Sequence, residues 1–144
     1  MNAAPTLARP QPEADFLELR YRADVQLLVA RWRRPVSAAE LRQGYRATLR
    51  LARAVGCPFW QVDLRSRNAP DAADRQWLTT EFLVRAAQRL AGPVCLGYLL
   101  SPKLLAQMGG PSASTNQVAF FAEEGPLTAW LTQCQQCQAS RAAA

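Results

Sequence analysis

Two hydrophobic rhythms alternate along this chain, and that alternation constrains its fold more than any other feature. Phe16-Leu17-Glu18-Leu19-Arg20-Tyr21-Arg22 has period two: Leu17, Leu19 and Tyr21 face one way, Glu18, Arg20 and Arg22 the other. That spacing predicts a half-buried strand. Ala23-Asp24 is a turn signal and Val25 to Trp32 reads as the next strand, so the short link predicts an antiparallel hairpin. The rhythm then becomes helical. Ser37 and Glu40 form a Ser-x-x-Glu capping box, flanked by Val36 and Leu41 at the hydrophobic-staple positions. Leu41, Tyr45, Thr48 or Leu49, Ala52 and Val55 repeat at helical spacing, and Gly56 is the expected left-handed stop.

The pattern continues to the end. Phe59 to Leu64 is a third strand; a helix follows from about Asp71 to Ala91, with Asn68 or Asp71 as N-cap, and Gly92-Pro93 ends it. Val94 to Leu100 is a fourth strand. Ser101-Pro102 sets a cap before a Pro at the first helical position and opens a short helix to about Met108. A polar loop, Pro111 to Asn116, precedes a fifth strand, Gln117 to Ala122, and Gly125-Pro126 opens a last helix with Leu127, Trp130 and Leu131. The order β-β-α-β-α-β-α-β-α predicts an α/β fold with a five-stranded, mostly parallel sheet: four parallel strands and one antiparallel partner. Its helices are expected to gather on one face. Apolar positions on the other, thinly covered face would favour a homodimer.

At 144 residues the chain is the size of one domain. Residues 1–15, with three Pro, read as a flexible tail, 16–138 as a single domain, and 139–144 as a frayed end. No run approaches the roughly 18 apolar residues of a membrane span, and no signal pattern opens the chain, so a cytoplasmic setting is expected. In that reducing setting Cys57, Cys95, Cys134 and Cys137 are expected as free thiols. There is no His, which excludes Ser-His and Cys-His nucleophile pairs and His-ligated metals. The reading therefore calls for no cofactor and no metal.

The element order and lengths resemble the STAS domain family, which includes antagonists of bacterial anti-sigma factors and the cytoplasmic tails of sulfate transporters. The resemblance spans about Phe16 to Leu131. It is carried by Trp60-Gln61-Val62-Asp63-Leu64-Arg65, by Phe82-Leu83, by Tyr98-Leu99-Leu100-Ser101-Pro102, and by Phe120-Phe121-Ala122-Glu123-Glu124 with Ala129-Trp130-Leu131. The chain looks most like the small stand-alone bacterial members that carry no assigned activity. The likeness implies a βα superhelix and a regulatory or protein-interaction role. In the family's anti-sigma antagonists a phosphoacceptor Ser opens the helix after the third strand. Here that position reads Asn68-Ala69-Pro70-Asp71, without a hydroxyl, and Ser66 lies earlier in the loop.

In open parallel α/β sheets ligands collect beyond the carboxyl ends of the strands. Four strand ends carry polar groups here: Arg33-Arg34, Asp63 with Arg65 and Ser66, Ser101 with Lys103, and Glu123-Glu124. Brought onto one rim, Arg33, Asp63, Arg65, Ser66, Ser101, Lys103 and Glu123 could receive a small anionic ligand or a charged protein surface. Strand ends are also polar simply because they meet loops and caps. A catalytic use of Asp63, Ser101 and Glu123 is a further reading, and it would require a strongly shifted carboxylate.

Arg42, Arg46, Arg50 and Arg53 form a basic stripe on the first helix, in a chain of formal charge +6. They provide an alternative anion site, for nucleic acid or acidic lipid, or are simply a solvated face. Base-stacking aromatics are not interleaved with them, which disfavours nucleic acid. Cys134-Gln135-Gln136-Cys137 has CxxC spacing but lies late in the last helix, where the dipole does not lower a thiol pKa, and it reads as coincidence. Gly109 to Asn116 resembles a phosphate loop in composition, yet it follows a helix and feeds a strand, the reverse of what such a loop needs. The sequence therefore favours a non-enzymatic regulatory module that recognises an unidentified protein or a small anion.

Overall fold

A computed structural model of the chain describes residues 15–68, 70–90, 92–107, 112–113 and 117–143. The tail read over 1–15 therefore lies outside the described residues except for Asp15, as do most of Gly109 to Asn116. The molecule is an α/β protein. Strand β1 (Leu17–Arg22) pairs antiparallel with β2 (Leu27–Trp32), and β2 pairs in parallel with β3 (Phe59–Asp63). Strands β4 (Cys95–Leu99) and β6 (Val118–Phe121) continue the parallel set. A two-residue strand, β5 (Ser112–Ala113), adds antiparallel to β6 in a stretch expected as plain loop, so the sheet order is β1-β2-β3-β4-β6-β5. Its pairing satisfies backbone groups along the β6 edge.

The hairpin turn is longer than the sequence suggests. Ala23 to Gln26 form the turn and β2 begins only at Leu27. Gln26 takes a left-handed φ of 55°, which is unusual for a residue with a Cβ. Its carbonyl accepts from the Gln135 side chain at 3.1 Å and from the Cys57 thiol at 3.4 Å, contacts that hold the turn in place.

Helix α1 (Ala38–Val55) begins with the reciprocal capping box: Ser37 Oγ accepts from Glu40 N at 3.2 Å and Glu40 Oε1 accepts from Ser37 N at 3.0 Å. It ends at Gly56, whose φ of 68° is the left-handed stop. After β3, Asp71 caps α2 (Ala72–Trp77) through its carboxylate, 2.8 Å from Asp74 N; Asn68 instead accepts from Val36 N at 3.0 Å. The helix is not continuous. Leu78–Phe82 forms a π-helical turn before α3 (Leu83–Arg89). Thr79 and Thr80 hydroxyls donate to the Arg75 and Gln76 carbonyls, which the wider turn leaves accessible. Ser101 Oγ accepts from Leu104 N at 3.1 Å and opens α4 (Pro102–Gln107). Helix α5 (Glu124–Ala143) runs through residues assigned from sequence to the frayed end.

One face of the sheet carries α1, α2, α3 and α4. Leu28, Ala30, Trp32, Trp60, Val62, Leu96 and Tyr98 from the strands meet Leu41, Tyr45, Trp77, Phe82 and Leu104 there in one core. Helices do not gather on that face alone, however. Helix α5 crosses the opposite face, where Leu127 and Leu131 are buried against Leu27, Cys95 and Leu99. Gly97 makes room for this contact, since a Cβ there would sit 3.1 Å from Leu127 Cγ. The apolar positions expected to drive dimerisation are therefore covered by the chain's own last helix. What stays uncovered is the β1–β2 end, where Arg20, Arg22 and Arg31 are exposed and Glu18 is half-buried. Among the described residues, no helix is long and apolar enough to cross a membrane.

Candidate functional site

Strand register brings the predicted rim residues to one edge. Arg31 lies opposite Asp63, Asp63 opposite Leu99, and Leu99 opposite Phe121, so Arg33, Ser101 and Glu123 follow on the same side. The polar groups there are largely engaged with one another. Asp63 is buried and receives Arg65 Nε at 3.1 Å, Arg65 Nη2 at 2.8 Å and the Arg65 backbone N–H at 3.0 Å. Glu124 at the start of α5 stands 3.7 Å from the same guanidinium. The Asp63 carboxylate holds Arg65 to the sheet edge. Arg34 bridges Asp15 and Glu40, both at 3.0 Å. Ser101 is spent as a helix cap. Ser66, Lys103, Glu123 and Arg33 are exposed.

The Arg stripe of α1 is also modified by the fold. Arg42 leaves it: its guanidinium lies over the Trp77 ring, 5.2 Å from the centroid. Arg46, Arg50 and Arg53 remain exposed, with no ion pair among the described residues. Cys134 packs against the α5 core and Cys137 is exposed; Cys57, Cys134 and Cys137 are free thiols.

The site that stands out was not among the sequence candidates. Two residues beyond Arg65, the loop after β3 turns under the sheet edge and buries Arg67 to 7% exposure. The loop is fixed at both ends: Arg67 N donates to Leu64 O at 3.1 Å, and Arg75 Nη1 donates to Pro70 O at 2.9 Å. The Arg67 guanidinium lies 4.8 Å above the Trp32 ring, and its Nε reaches Asn68 O at 3.4 Å. Its Nη1 is buried with no hydrogen-bond partner, and among the described residues no carboxylate pairs with it. An unpaired guanidinium in such a place is costly.

Arg67 lines a cavity of about 540 Å³ between the helix-covered face of the sheet and the interrupted helix. Its floor is Tyr45, Tyr98, Val118 and Phe120. Its outer wall is Leu78, Thr79, Leu83, Val84 and Ala87, and Asp74 and Arg75 flank it. The π-helical turn thus forms part of the wall, a feature that recurs at functional sites. At the floor, the Tyr45 and Tyr98 hydroxyls share a hydrogen bond of 2.9 Å. Burial pushes both phenols up, Tyr98 well above the ordinary range, and the Arg67 charge opposes that rise in each. Both hydroxyls therefore stay protonated near neutral pH, and both sit within the field of the buried cation.

Nothing in the pattern Arg65-Ser66-Arg67 distinguishes the third residue from the first. A pair of Arg in a loop reads as solvated. Only the turn at Arg65-Ser66 decides that one guanidinium faces a carboxylate at the rim and the other an aromatic cluster inside.

Among the described residues, no group of three or more Cys, Asp or Glu is placed to hold a metal. Comparison of the chain with protein-family models, with curated proteins and with solved structures gave no match.

Proposed function

We propose that this protein is a non-enzymatic regulatory module of the STAS type that recognises a small anion in the cavity beside Arg67. The observation that carries the reading is the buried, unpaired Arg67 guanidinium lining a cavity of about 540 Å³. That volume lies in the roughly 300–1,000 Å³ range of small-molecule sites. A bound anion would supply the missing counter-charge in a low-dielectric setting, where it counts most. The strand-end rim, with Ser66, Lys103 and Glu123 exposed beside the loop that carries Arg67, is then the surface through which occupancy is communicated to a protein partner. The resemblance to STAS domains through Trp60 to Arg65 and Tyr98 to Pro102 agrees with such a role.

The test is thermal denaturation of the full chain against a panel of chemically diverse small anions, repeated with Arg67→Met. Stabilisation of the wild type by a member of the panel, lost in the variant, supports the site. A flat response to every anion overturns it. The exposed Arg46, Arg50 and Arg53 favour a second reading, an anionic polymer or acidic lipid on α1. Binding through that stripe would weaken steeply with salt and be unaffected by Arg67→Met.

A further inference from the structure

Resting on that reading, we infer that the ligand is an amphipathic monocarboxylate, its head group at Arg67 and its hydrocarbon body along the apolar walls of the cavity.

Among the described residues Arg67 is the one buried cation, and the charges of Asp74 and Arg75 at the flank of the cavity are of opposite sign and sum to zero. A single buried positive charge balances a monoanion. A phosphate monoester, with close to two negative charges at neutral pH, would be left with uncompensated charge in a desolvated place. A guanidinium also presents planar paired donors that match a carboxylate.

The tyrosine hydroxyls extend the same polar end. Tyr45 and Tyr98 are joined at 2.9 Å, and one shared proton leaves the other hydroxyl hydrogen available. Beside Arg67 this adds one neutral donor for a carboxylate oxygen. Among the described residues no second cation is buried there to favour a larger anion.

The rest of the cavity is of another kind. Leu41, Leu78, Leu83, Val84, Val118 and Phe120 line it. Val84 is among the two exposed large apolar side chains of the described residues, at 52%. A purely inorganic anion would leave these walls in contact with water. A hydrocarbon body covers them, and each methylene so buried strengthens binding. Polar end and apolar walls together describe one molecule with a head and a body.

The experiment titrates the full chain with decanoate, decanol, decyl phosphate, acetate and inorganic phosphate, by calorimetry and by tryptophan fluorescence. Trp32 lies directly beneath Arg67 and is the natural reporter. Decanoate is expected to bind with 1:1 stoichiometry, at least tenfold more tightly than decanol, decyl phosphate or acetate. Arg67→Met is expected to weaken decanoate at least tenfold while leaving decanol unchanged. Ala87→Phe, which fills the cavity from the far wall, is expected to abolish binding of both while Arg67 stays in place; circular dichroism of each variant verifies that it folds. Decanol binding as tightly as decanoate, or decyl phosphate binding as tightly or more so, overturns the carboxylate assignment. Inorganic phosphate binding while decanoate is silent also overturns it, yet leaves the anion site of the preceding section standing. Silence of every probe, together with a flat anion panel, removes both.

Discussion

The hydroxyls of Tyr45 on α1 and Tyr98 on β4, 53 residues apart in the chain, meet at 2.9 Å in the floor of the cavity. Both side chains are buried, and the bond between them satisfies part of each hydroxyl's hydrogen-bonding capacity. Tyr98→Phe should therefore destabilise the protein by about 1–2 kcal/mol, because it removes the bond between the buried Tyr45 hydroxyl and Tyr98. Adding Tyr45→Phe should cost less than a second independent loss. Urea denaturation of the two single variants and the double variant measures the coupling. Strictly additive losses would contradict a direct bond.

Gly44 of α1 faces the Trp32 indole. A methyl group at this position would lie 2.9 Å from Trp32 Cζ3 and closer still to Cη2. Trp32 is itself fixed between Phe16, Tyr45 and Arg67, at 5.9, 5.4 and 4.8 Å, and has nowhere to go. Gly44→Ala should thus cost about 1–3 kcal/mol by overpacking, against the ~1 kcal/mol that Ala normally gains over Gly in a helix. The net sign is destabilising. A melting temperature at or above the wild type would show that the indole can move.

Glu40 should titrate far below an ordinary carboxylate. The hydrogen bond from Arg34, then that from the Ser37 backbone, lower its pKa from 4.5 to about 2. A carboxylate whose folded pKa is depressed stabilises the folded state above its unfolded pKa. Its contribution is lost as pH falls from about 4.5 towards 2. Glu40→Gln should flatten the stability profile over that interval and weaken the α1 capping box at neutral pH. Carboxyl chemical shifts against pH provide the direct measurement, and a Glu40 midpoint near 4.5 would show that the bridge to Arg34 does not persist.

The cysteines should separate by reactivity. Burial pushes the Cys57 thiol up, and it donates to the Gln26 and Phe59 carbonyls at 3.4 and 3.3 Å. Burial also raises Cys134. Cys137 is exposed. With an alkylating reagent at neutral pH, Cys137 is expected to label first, Cys134 more slowly, and Cys57 and Cys95 only on unfolding. Mass mapping of the labelled peptides checks the order. Early modification of Cys57 would mean that the β1–β2 turn opens readily.

Some of this architecture is readable because its causes are local. Ser37 with Glu40, Asp71 and Ser101 each bind a backbone N–H three residues away or less, and Gly56 supplies its own left-handed conformation. Such signals need no knowledge of the rest of the chain. The π-helical turn at Leu78–Phe82 gave no comparable signal, since Thr79 and Thr80 satisfy an altered register without changing the hydrophobic rhythm. The placement of α5 was equally hidden. Leu127 and Leu131 announce an apolar stripe, but only the small Gly97 on a strand thirty residues earlier tells which face receives it.

The sequence by itself determined the alternation of strands and helices, the caps at Ser37 and Ser101, the stop at Gly56 and the common edge on which Arg33, Asp63, Ser101 and Glu123 fall. Each of these follows from spacing along the backbone, and spacing is a property of the chain. Tertiary structure alone decided which charges are free and which are spent. Arg65 pairs with Asp63, Arg42 stacks on Trp77, and Arg67 is buried over Trp32 with one nitrogen unpartnered. The three are the same residue type, and what separates them is the dielectric and the neighbours each meets after folding, which no local pattern encodes.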